Sequence, residues 1–206
     1  MKAQILKAIS PVENRPLELI ELPIPQPRAG EILVKTSTCG VCHTELDEIE
    51  GRLKPKLPII LGHEIIGRVE SLGSKATKFS LGDRVGIAWI HSSCGKCRFC
   101  REGNENLCSQ FEGTGCQADG GYAQYTVVSE DFAYLIPDRF TDSQAAPLLC
   151  AGAIGYRALR LSTIEDGQVL GLFGFGASAH IVIQVAKYKY PNCKVFVFTR
   201  PVQKEH

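Results

Sequence analysis

Hydrophobic and polar positions alternate in short bursts along the first 140 residues. Gln4–Ile9, Leu17–Leu22, Ile32–Thr36, Ile65–Val69, Arg84–Ala88 and Tyr122–Val128 each read as a strand. Gly, Pro and polar turns separate them, as in Pro23-Ile24-Pro25-Gln26-Pro27 and Leu81-Gly82-Asp83. Cys42–Glu50 is the single early segment that reads as a short helix. From Thr141 the texture changes. Thr141-Asp142-Ser143-Gln144 is a capping-box pattern, and it opens an Ala-rich helical region running towards Leu161. An apolar strand (Val169–Phe173), a Gly-rich turn, a helix over about Ser178–Tyr190 and a second apolar strand (Val195–Phe198) follow. This is one β-α-β unit, with no internal repeat and no low-complexity tract before it.

The balance of charge changes the picture mainly by exclusion. Among 206 residues, 23 Lys and Arg face 22 Asp and Glu, a net charge of +1. That gives no footprint for nucleic acid or an anionic membrane surface. Hydrophobic residues at 44% and charged residues at 22% describe a soluble globular protein. The uncharged stretch from Gly167 to Ala186 approaches the length of a membrane span. Gly171, Gly174, Gly176, Ser178, His180 and Gln184 instead split it into strand, turn and helix. The N-terminal stretch has no apolar region of signal-peptide length before Ser10-Pro11, so a cytoplasmic location is expected.

In a reducing compartment, nine cysteines point to metal or catalysis rather than to a disulfide framework. Cys94, Cys97, Cys100 and Cys108 form C-x-x-C-x-x-C-x(7)-C, with Gly95 and Gly103 for tight bends. Four thiolates so close suit a closed tetrahedral zinc site with no position left for substrate, hence a structural role. Two alternatives stand beside it. One is four unpaired thiols in a flexible loop. The other is an iron–sulfur cluster, whose bacterial motif also begins C-x-x-C-x-x-C but places its next Cys three residues later and before Pro.

Gly174-Phe175-Gly176-Ala177-Ser178-Ala179 is G-x-G-x-x-A between a strand and a helix, the context of a dinucleotide fingerprint. Gly174 allows the tight turn, Gly176 lets backbone approach a pyrophosphate, and Ala179 permits close packing of helix on strand. The second strand ends Val197-Phe198-Thr199-Arg200 without an acid to hold a ribose 2′-hydroxyl, while Arg200 could pair with a 2′-phosphate. NADP is therefore expected ahead of NAD, against the plainer reading of Arg200 as a solvated strand end.

Further motifs occur in order: CGVCHTE at 39–45, GHEIIG at 62–67, GDRVG at 82–86, CGKCRFC at 94–100, GGYAQY at 120–125, LLCAGAIGYRAL at 148–159 and GFGASAH at 174–180. With these the chain resembles the zinc-dependent alcohol dehydrogenases of the medium-chain dehydrogenase/reductase family, over essentially its whole length. The resemblance implies an α+β / α/β architecture. A β-rich GroES-like catalytic domain with a structural-zinc lobe would span 1–150, and the start of a Rossmann NAD(P)-binding domain 151–206. It implies two zincs per chain, the catalytic one held by Cys42, His63 and Cys150, with Glu64 as an acid that exchanges with the fourth ligand. Zinc would lower the pKa of an alcohol so that an alkoxide forms and releases hydride to the nicotinamide; aldehyde or ketone reduction is the reverse.

By the same resemblance, Thr44 takes the alcohol proton, Glu45 holds a ligand His in its tautomer, and His43 contacts the cofactor pyrophosphate. The family usually has Asp where Glu45 stands, and a His where Asp47 stands. Either Asp47 ends the proton relay, or the proton leaves by another route. Cys39, Cys116 and Cys193 are read as non-ligands, and Trp89 as a pocket residue or a core aromatic. A full dinucleotide fold has two β-α-β-α-β halves. One β-α-β unit reads as a truncated chain, without the nicotinamide half and without the interface of the family's homo-oligomers. The expected partner is a small alcohol or aldehyde, with no nucleic acid and no membrane. The alternative function is a zinc-binding remnant without catalytic activity.

Overall fold

The alternating stretches pair into antiparallel ladders in the computed structural model, which describes residues 1–200. Two compact units divide the chain, Met1–Leu149 and Cys150 onward. Residues 201–206, within the expected second domain, lie outside the described residues.

The first unit contains β1 (Lys2–Leu6), β2 (Leu17–Glu21), β3 (Glu31–Cys39), α1 (His43–Ile49), β4 (Ile59–Ile60) and β5 (Ile65–Leu72). It continues with β6 (Arg84–Ile87), β7 (Ile90–Ser92), α2 (Arg98–Arg101), β8 (Glu112–Gly113), β9 (Tyr125–Ser129), β10 (Ala133–Leu135) and α3 (Asp142–Ala145). The second unit contains α4 (Ala151–Leu161), β11 (Val169–Phe173), α5 (Ala177–Lys189) and β12 (Lys194–Phe198). No helix among the described residues is long and apolar enough to cross a membrane.

A five-stranded sheet in the order β10-β6-β5-β3-β9 forms the main layer, with β2-β1-β4 and β7-β8 as smaller sheets. Alternation puts Ile32 and Val34 of β3, Ile65 and Val69 of β5, Val85 and Ile87 of β6 and Val128 of β9 into one buried cluster. Ile66 points to the opposite face and is sealed by Ala145 and Ala146. Both faces of β5 are therefore buried at its start, which is why its sequence opens as an unbroken apolar run. A separate cluster of Leu6, Ile49, Ile59 and Leu61 anchors the far end of α1 against β1 and β4.

The β3–β5 ladder decides where the chemistry goes. Cys39, the last residue of β3, sits opposite Ile65, the first of β5. Antiparallel pairing thus brings the residues after Cys39 beside those before Ile65, and the Gly40 amide donates to the Glu64 carbonyl at 2.9 Å. The ladder slips between Thr36 and Thr38. The bulge leaves Ser37 to donate to the Ile66 carbonyl (3.1 Å) and to meet the Asp142 carboxylate.

Asp142 also receives Arg84 Nε at 2.8 Å, with Arg84 Nη2 at 2.6 Å. The Ser37 hydroxyl and then the Arg84 guanidinium hold this carboxyl below its ordinary 3.8. A lowered folded-state pKa contributes stability above the unfolded value and loses it as pH falls through the folded one. With the side chain 36% exposed, solvent screening limits the effect. Asp142→Asn should cost about 0.5–1 kcal/mol near pH 7. In urea unfolding the gap between variant and parent should close as pH falls below 3.8 and through the lowered folded-state value. A gap independent of pH would mean that the carboxylate charge contributes nothing.

In the second unit β11 and β12 pair in parallel, from Val169 opposite Lys194 to Phe173 opposite Phe198. Leu159, Ile164, Ala186 and Cys193 form its core, with Leu170, Val185 and Tyr190 against them. The opposite sheet face carries Val169, Phe173, Phe196 and Phe198, all exposed, and the Phe173 and Phe198 rings stack at 4.8 Å.

Several elements differ from the expected pattern. The first strand ends at Leu6, opposite Leu17, because residues 7–16 are needed to bring the chain back. The helical region after Thr141 is broken: a 3-10 turn over Ala146–Leu149 separates α3 from α4. Pro147 cannot supply the amide that a continuous α-helix requires. The capping box at Thr141 forms, with the Gln144 amide donating to Thr141 Oγ1 at 3.3 Å.

Candidate functional site

α1 begins immediately after Cys42, and its first turn carries most of the chemistry. Cys42 is extended backbone at φ −110°, ψ 161°. Its amide donates to Glu45 Oε2 at 2.6 Å, so a side chain three residues on satisfies the orphan N–H that a helix start leaves open. The second oxygen of the same carboxylate, Oε1, lies 2.7 Å from His63 Nδ1, at pairing distance though with poorer alignment than the Cys42 bond. Glu45 is 2% exposed and His63 1%. One buried carboxylate therefore fixes both the Cys42 loop and the His63 ring. The extra methylene relative to Asp is accommodated.

His63 meets the Cys42 thiol as well as Glu45. Burial pushes its pKa down, but the Cys42 and Glu45 hydrogen bonds and the Glu45 charge outweigh it and leave His63 raised to about 9. With Nδ1 given to Glu45, Nε2 is the nitrogen left for a metal. Thr44 Oγ1 lies 3.4 Å from Cys42 Sγ. The donor atoms of Cys42, His63 and Glu64 lie within 4.8 Å of one another. Buried imidazole and carboxylate beside a half-buried thiol are the donors that zinc takes, so the residues fit the metal. The Trp89 ring stands edge-on to His63 at 5.1 Å and reaches Phe111 at 6.1 Å, an aromatic wall beside the imidazole.

His43 and Asp47 occupy the outer side of α1, with His43 Nε2 4.0 Å from Asp47 Oδ1. Arg52 Nε holds the same oxygen at 2.5 Å and also reaches Glu50. Cys150 opens the second unit as the residue before α4, with non-helical φ −121° and ψ −81°.

Composition and spacing missed Glu48, one helical turn beyond Glu45. It is fully buried, and neither carboxylate oxygen has a hydrogen bond of good geometry. Burial raises its pKa to about 8, with a neighbouring Cys116 thiol drawing it back slightly. No residue pattern marks it, because its burial is set by where α1 packs beside β1 and β4. Cys39, which burial pushes up to about 12, and Cys116 belong to neither group of metal-type side chains.

In the cysteine lobe all four donor atoms lie within 4.8 Å of one another. Cys97 Sγ is 3.5 Å and Cys94 Sγ 3.8 Å from Cys100 Sγ. A zinc tetrahedron with Zn–S bonds of about 2.3 Å has sulfur–sulfur edges of about 3.8 Å. Backbone amides point at the sulfurs: Cys97 N–H to Cys94 (3.3 Å), Cys94 N–H to Cys108 (3.5 Å) and Gln110 N–H to Cys108 (3.3 Å). The Lys96 and Cys97 amides lower the Cys94 thiol to about 6, and the Ser93 hydroxyl lowers Cys100. Against the pull of the Cys100 amide, burial and the neighbouring Cys100, Cys94 and Cys108 thiols instead raise Cys97 to about 11, so thiolate character is favoured at Cys94 and Cys100 and opposed at Cys97.

In the second unit, Gly174 turns the chain at φ +86° and its amide donates to the Phe198 carbonyl at 2.8 Å. An open groove of about 700 Å³ is lined by Gly174, Phe175, Gly176, Val197, Phe198, Thr199 and Arg200. Five of the expected cofactor positions are in the second unit, and four of them line this groove; Ala179 lies within the first turn of α5. His180, not expected, packs its ring on Phe175 at 4.1 Å and meets the Gly176 carbonyl at 3.0 Å.

Comparison with known proteins agrees with this layout. Among curated relatives, a probable alcohol dehydrogenase AdhA of Mycobacterium tuberculosis is 45% identical, covering 97% of this chain and 59% of that protein. An alcohol dehydrogenase of Geobacillus stearothermophilus is 40% identical, covering 91% of this chain and 55% of that protein. The chain thus spans less than two thirds of each relative. A cobalt- and zinc-bound thermostable alcohol dehydrogenase from Pyrobaculum aerophilum superposes with a TM-score of 0.88 at 27% identity, over 98% of this chain and 60% of that one. A CAD from Helicobacter pylori complexed with NADP(H) gives 0.86 at 27% identity, over 100% and 61%. The profile of the alcohol dehydrogenase GroES-like domain matches residues 28–138, the segment that holds both the Glu45–His63 pair and the cysteine lobe. That match covers more than half of the sequence, and with it the chain belongs to the zinc-type alcohol dehydrogenases of the medium-chain family.

Proposed function

We propose that the chain carries the metal-binding part of an alcohol dehydrogenase that transfers hydride from a small alcohol, which becomes its aldehyde or ketone, to a nicotinamide cofactor and runs the reverse reduction, with NADP ahead of NAD as the cofactor. Cys42, His63 and Cys150 would hold the catalytic zinc, with Glu64 as the acid that exchanges at it. Three of these, Cys42, His63 and Glu64, belong to the first unit, and their donor atoms lie within 4.8 Å of one another. Zinc bound there supplies Lewis acidity, lowering the pKa of an alcohol oxygen. The observation that carries this reading is the Glu45 carboxylate, which touches the Cys42 amide and His63 Nδ1 with its two oxygens.

The remaining roles belong to side chains of this chain. Glu45 keeps the proton of His63 on Nδ1, so that Nε2 presents a lone pair. Thr44 takes the proton of the alcohol at Oγ1. Asp47, whose side chain is 34% exposed, ends the proton route at the surface beside His43 and Arg52. His43 contacts the cofactor pyrophosphate, the Gly174–Gly176 turn and Ala179 receive the dinucleotide, and Thr199 and Arg200 face its ribose.

The test is hydride transfer by the zinc-loaded chain from NADPH and from NADH to a panel of aldehydes and ketones. Turnover supports the dehydrogenase. No turnover with both metals in place favours a zinc-binding chain without catalysis. Should Arg200 read a 2′-phosphate, Arg200→Ala will weaken NADPH binding by about tenfold or more. It will leave NADH binding unchanged. Equal loss for both cofactors, read by fluorescence titration, would contradict the assignment.

A further inference from the structure

We infer that Gly40 is a positioning residue for Glu64: the missing β-carbon at Gly40 is the seat in which the Glu64 side chain lies. The inference rests on the metal reading above for its consequence, but not for its geometry. A β-carbon at Gly40 would stand 2.0 Å from Glu64 Oε2 and 3.0 Å from both Cβ and Cδ of the same residue. Its three nearest neighbours are all atoms of Glu64. Gly40 is not among the residues with positive φ, so a side chain is compatible with its backbone, and Glu64 is the obstacle.

The backbone of Gly40 cannot retreat to make room. Its amide donates to the Glu64 carbonyl at 2.9 Å. Its own carbonyl accepts the Tyr122 hydroxyl at 3.4 Å. Cys39, the preceding residue, is paired with Ile65 at the end of the β3–β5 ladder. With the main chain pinned on both sides, a methyl group at position 40 must displace the carboxylate. That carboxylate is 4% exposed as part of a buried residue, and it lies within 4.8 Å of the Cys42 and His63 donor atoms. Where it goes determines whether an oxygen can reach a metal held by them.

The test is a double-mutant cycle of Gly40→Ala, Glu64→Ala and the pair, read by the visible spectrum and affinity of the Co²⁺-loaded chain. The contribution of the cysteine lobe is common to all four proteins. Gly40→Ala should change the spectrum and weaken binding about tenfold. Added to Glu64→Ala, it should change affinity by no more than about twofold. Additive effects, with the same shift in both backgrounds, would show that Gly40 acts through its own backbone and would overturn the inference. So would an unchanged spectrum in Gly40→Ala. Thermal unfolding of the metal-free proteins gives an independent readout: Gly40→Ala lowers Tm, and the pair regains most of it, because the 2.0 Å and 3.0 Å clashes with Oε2 and Cδ are gone and only the 3.0 Å approach to the Cβ of residue 64 remains. If Gly40→Ala does not fold, recovery of a folded protein in the pair is the expected result, and failure of both overturns it. If the unsubstituted chain binds no Co²⁺ beyond the lobe, the metal reading falls, and the unfolding cycle alone decides the Gly40–Glu64 contact.

Discussion

Replacing Cys100 by Ser unfolds the cysteine lobe and removes one metal from the chain. The lobe has almost no core of its own. Of its four cysteines only Cys108 is buried, and Leu107 is 51% exposed. Its backbone bonds are local, such as Arg101 to Cys97 and Cys108 to Glu105. The short β7–β8 pair closes the base of the loop, and within it the sulfurs make the contacts between the turn at Cys94–Cys97 and the one at Cys108, as in Cys94 N–H to Cys108 Sγ at 3.5 Å. Structural zinc contributes apparent binding energies of about 10–16 kcal/mol, comparable to the stability of a whole domain. Loss of one thiolate, or chelation, should therefore open residues 94–108 to protease within the Lys96–Arg101 stretch. The rest of the first unit should stay folded on its own hydrophobic cluster. A Cys100→Ser chain that keeps its full metal content and its protease resistance would contradict this account of the lobe.

The second large effect is expected at Glu45. Glu45→Ala removes both anchors at once, leaving the Cys42 amide and the buried His63 Nδ1 without an acceptor. Loss of the cap costs about 1 kcal/mol, and the orphaned imidazole nitrogen adds about 1–3 kcal/mol. Metal affinity at Cys42 and His63 should fall about tenfold to a hundredfold. Glu45→Gln separates the two functions. Its oxygen can still accept from Cys42, while its NH₂ faces His63 Nδ1 and favours the tautomer with the proton on Nε2. Metal affinity should then fall almost as far as in Glu45→Ala, with stability nearer the parent. Competitive metal titration beside urea unfolding distinguishes the two. An affinity unchanged in Glu45→Gln would show that the carboxylate does not set the tautomer.

What could be read in the sequence were the features written in local spacing. The four lobe cysteines announce themselves because all of them fall between residues 94 and 108, so a short loop can gather the four thiolates of a closed tetrahedral site. The unit from Val169 to Phe198 is legible because its strand, turn and helix follow in sequence, and Gly174 marks the turn. Cys42 and His63 were harder, since 20 residues separate them and only the β3–β5 register brings them together. Their pairing came from the resemblance rather than from periodicity.

Other features depend on tertiary pairing and carry no local signature. β4, β7, β8 and β10 have two or three residues each, too few for an alternation to show. The bulge that aims Ser37 at Asp142 follows from a slip in the ladder, which no residue type in Thr36-Ser37-Thr38 announces. Glu48 is buried because the side of α1 that carries it and Ile49 packs beside β1 and β4, while His43 and Asp47 take the outer side. Gly40 is similar: its need is set by a side chain 24 residues away.

The central claim is that one chain holds two metals, one in a closed set of four thiolates and one around Cys42 and His63. Elemental analysis of metal per chain on the purified protein tests it without knowledge of the substrate. The account predicts close to two zincs, matching the two groups of metal-type side chains, and one in Cys100→Ser. One zinc or fewer in the unsubstituted chain would contradict it.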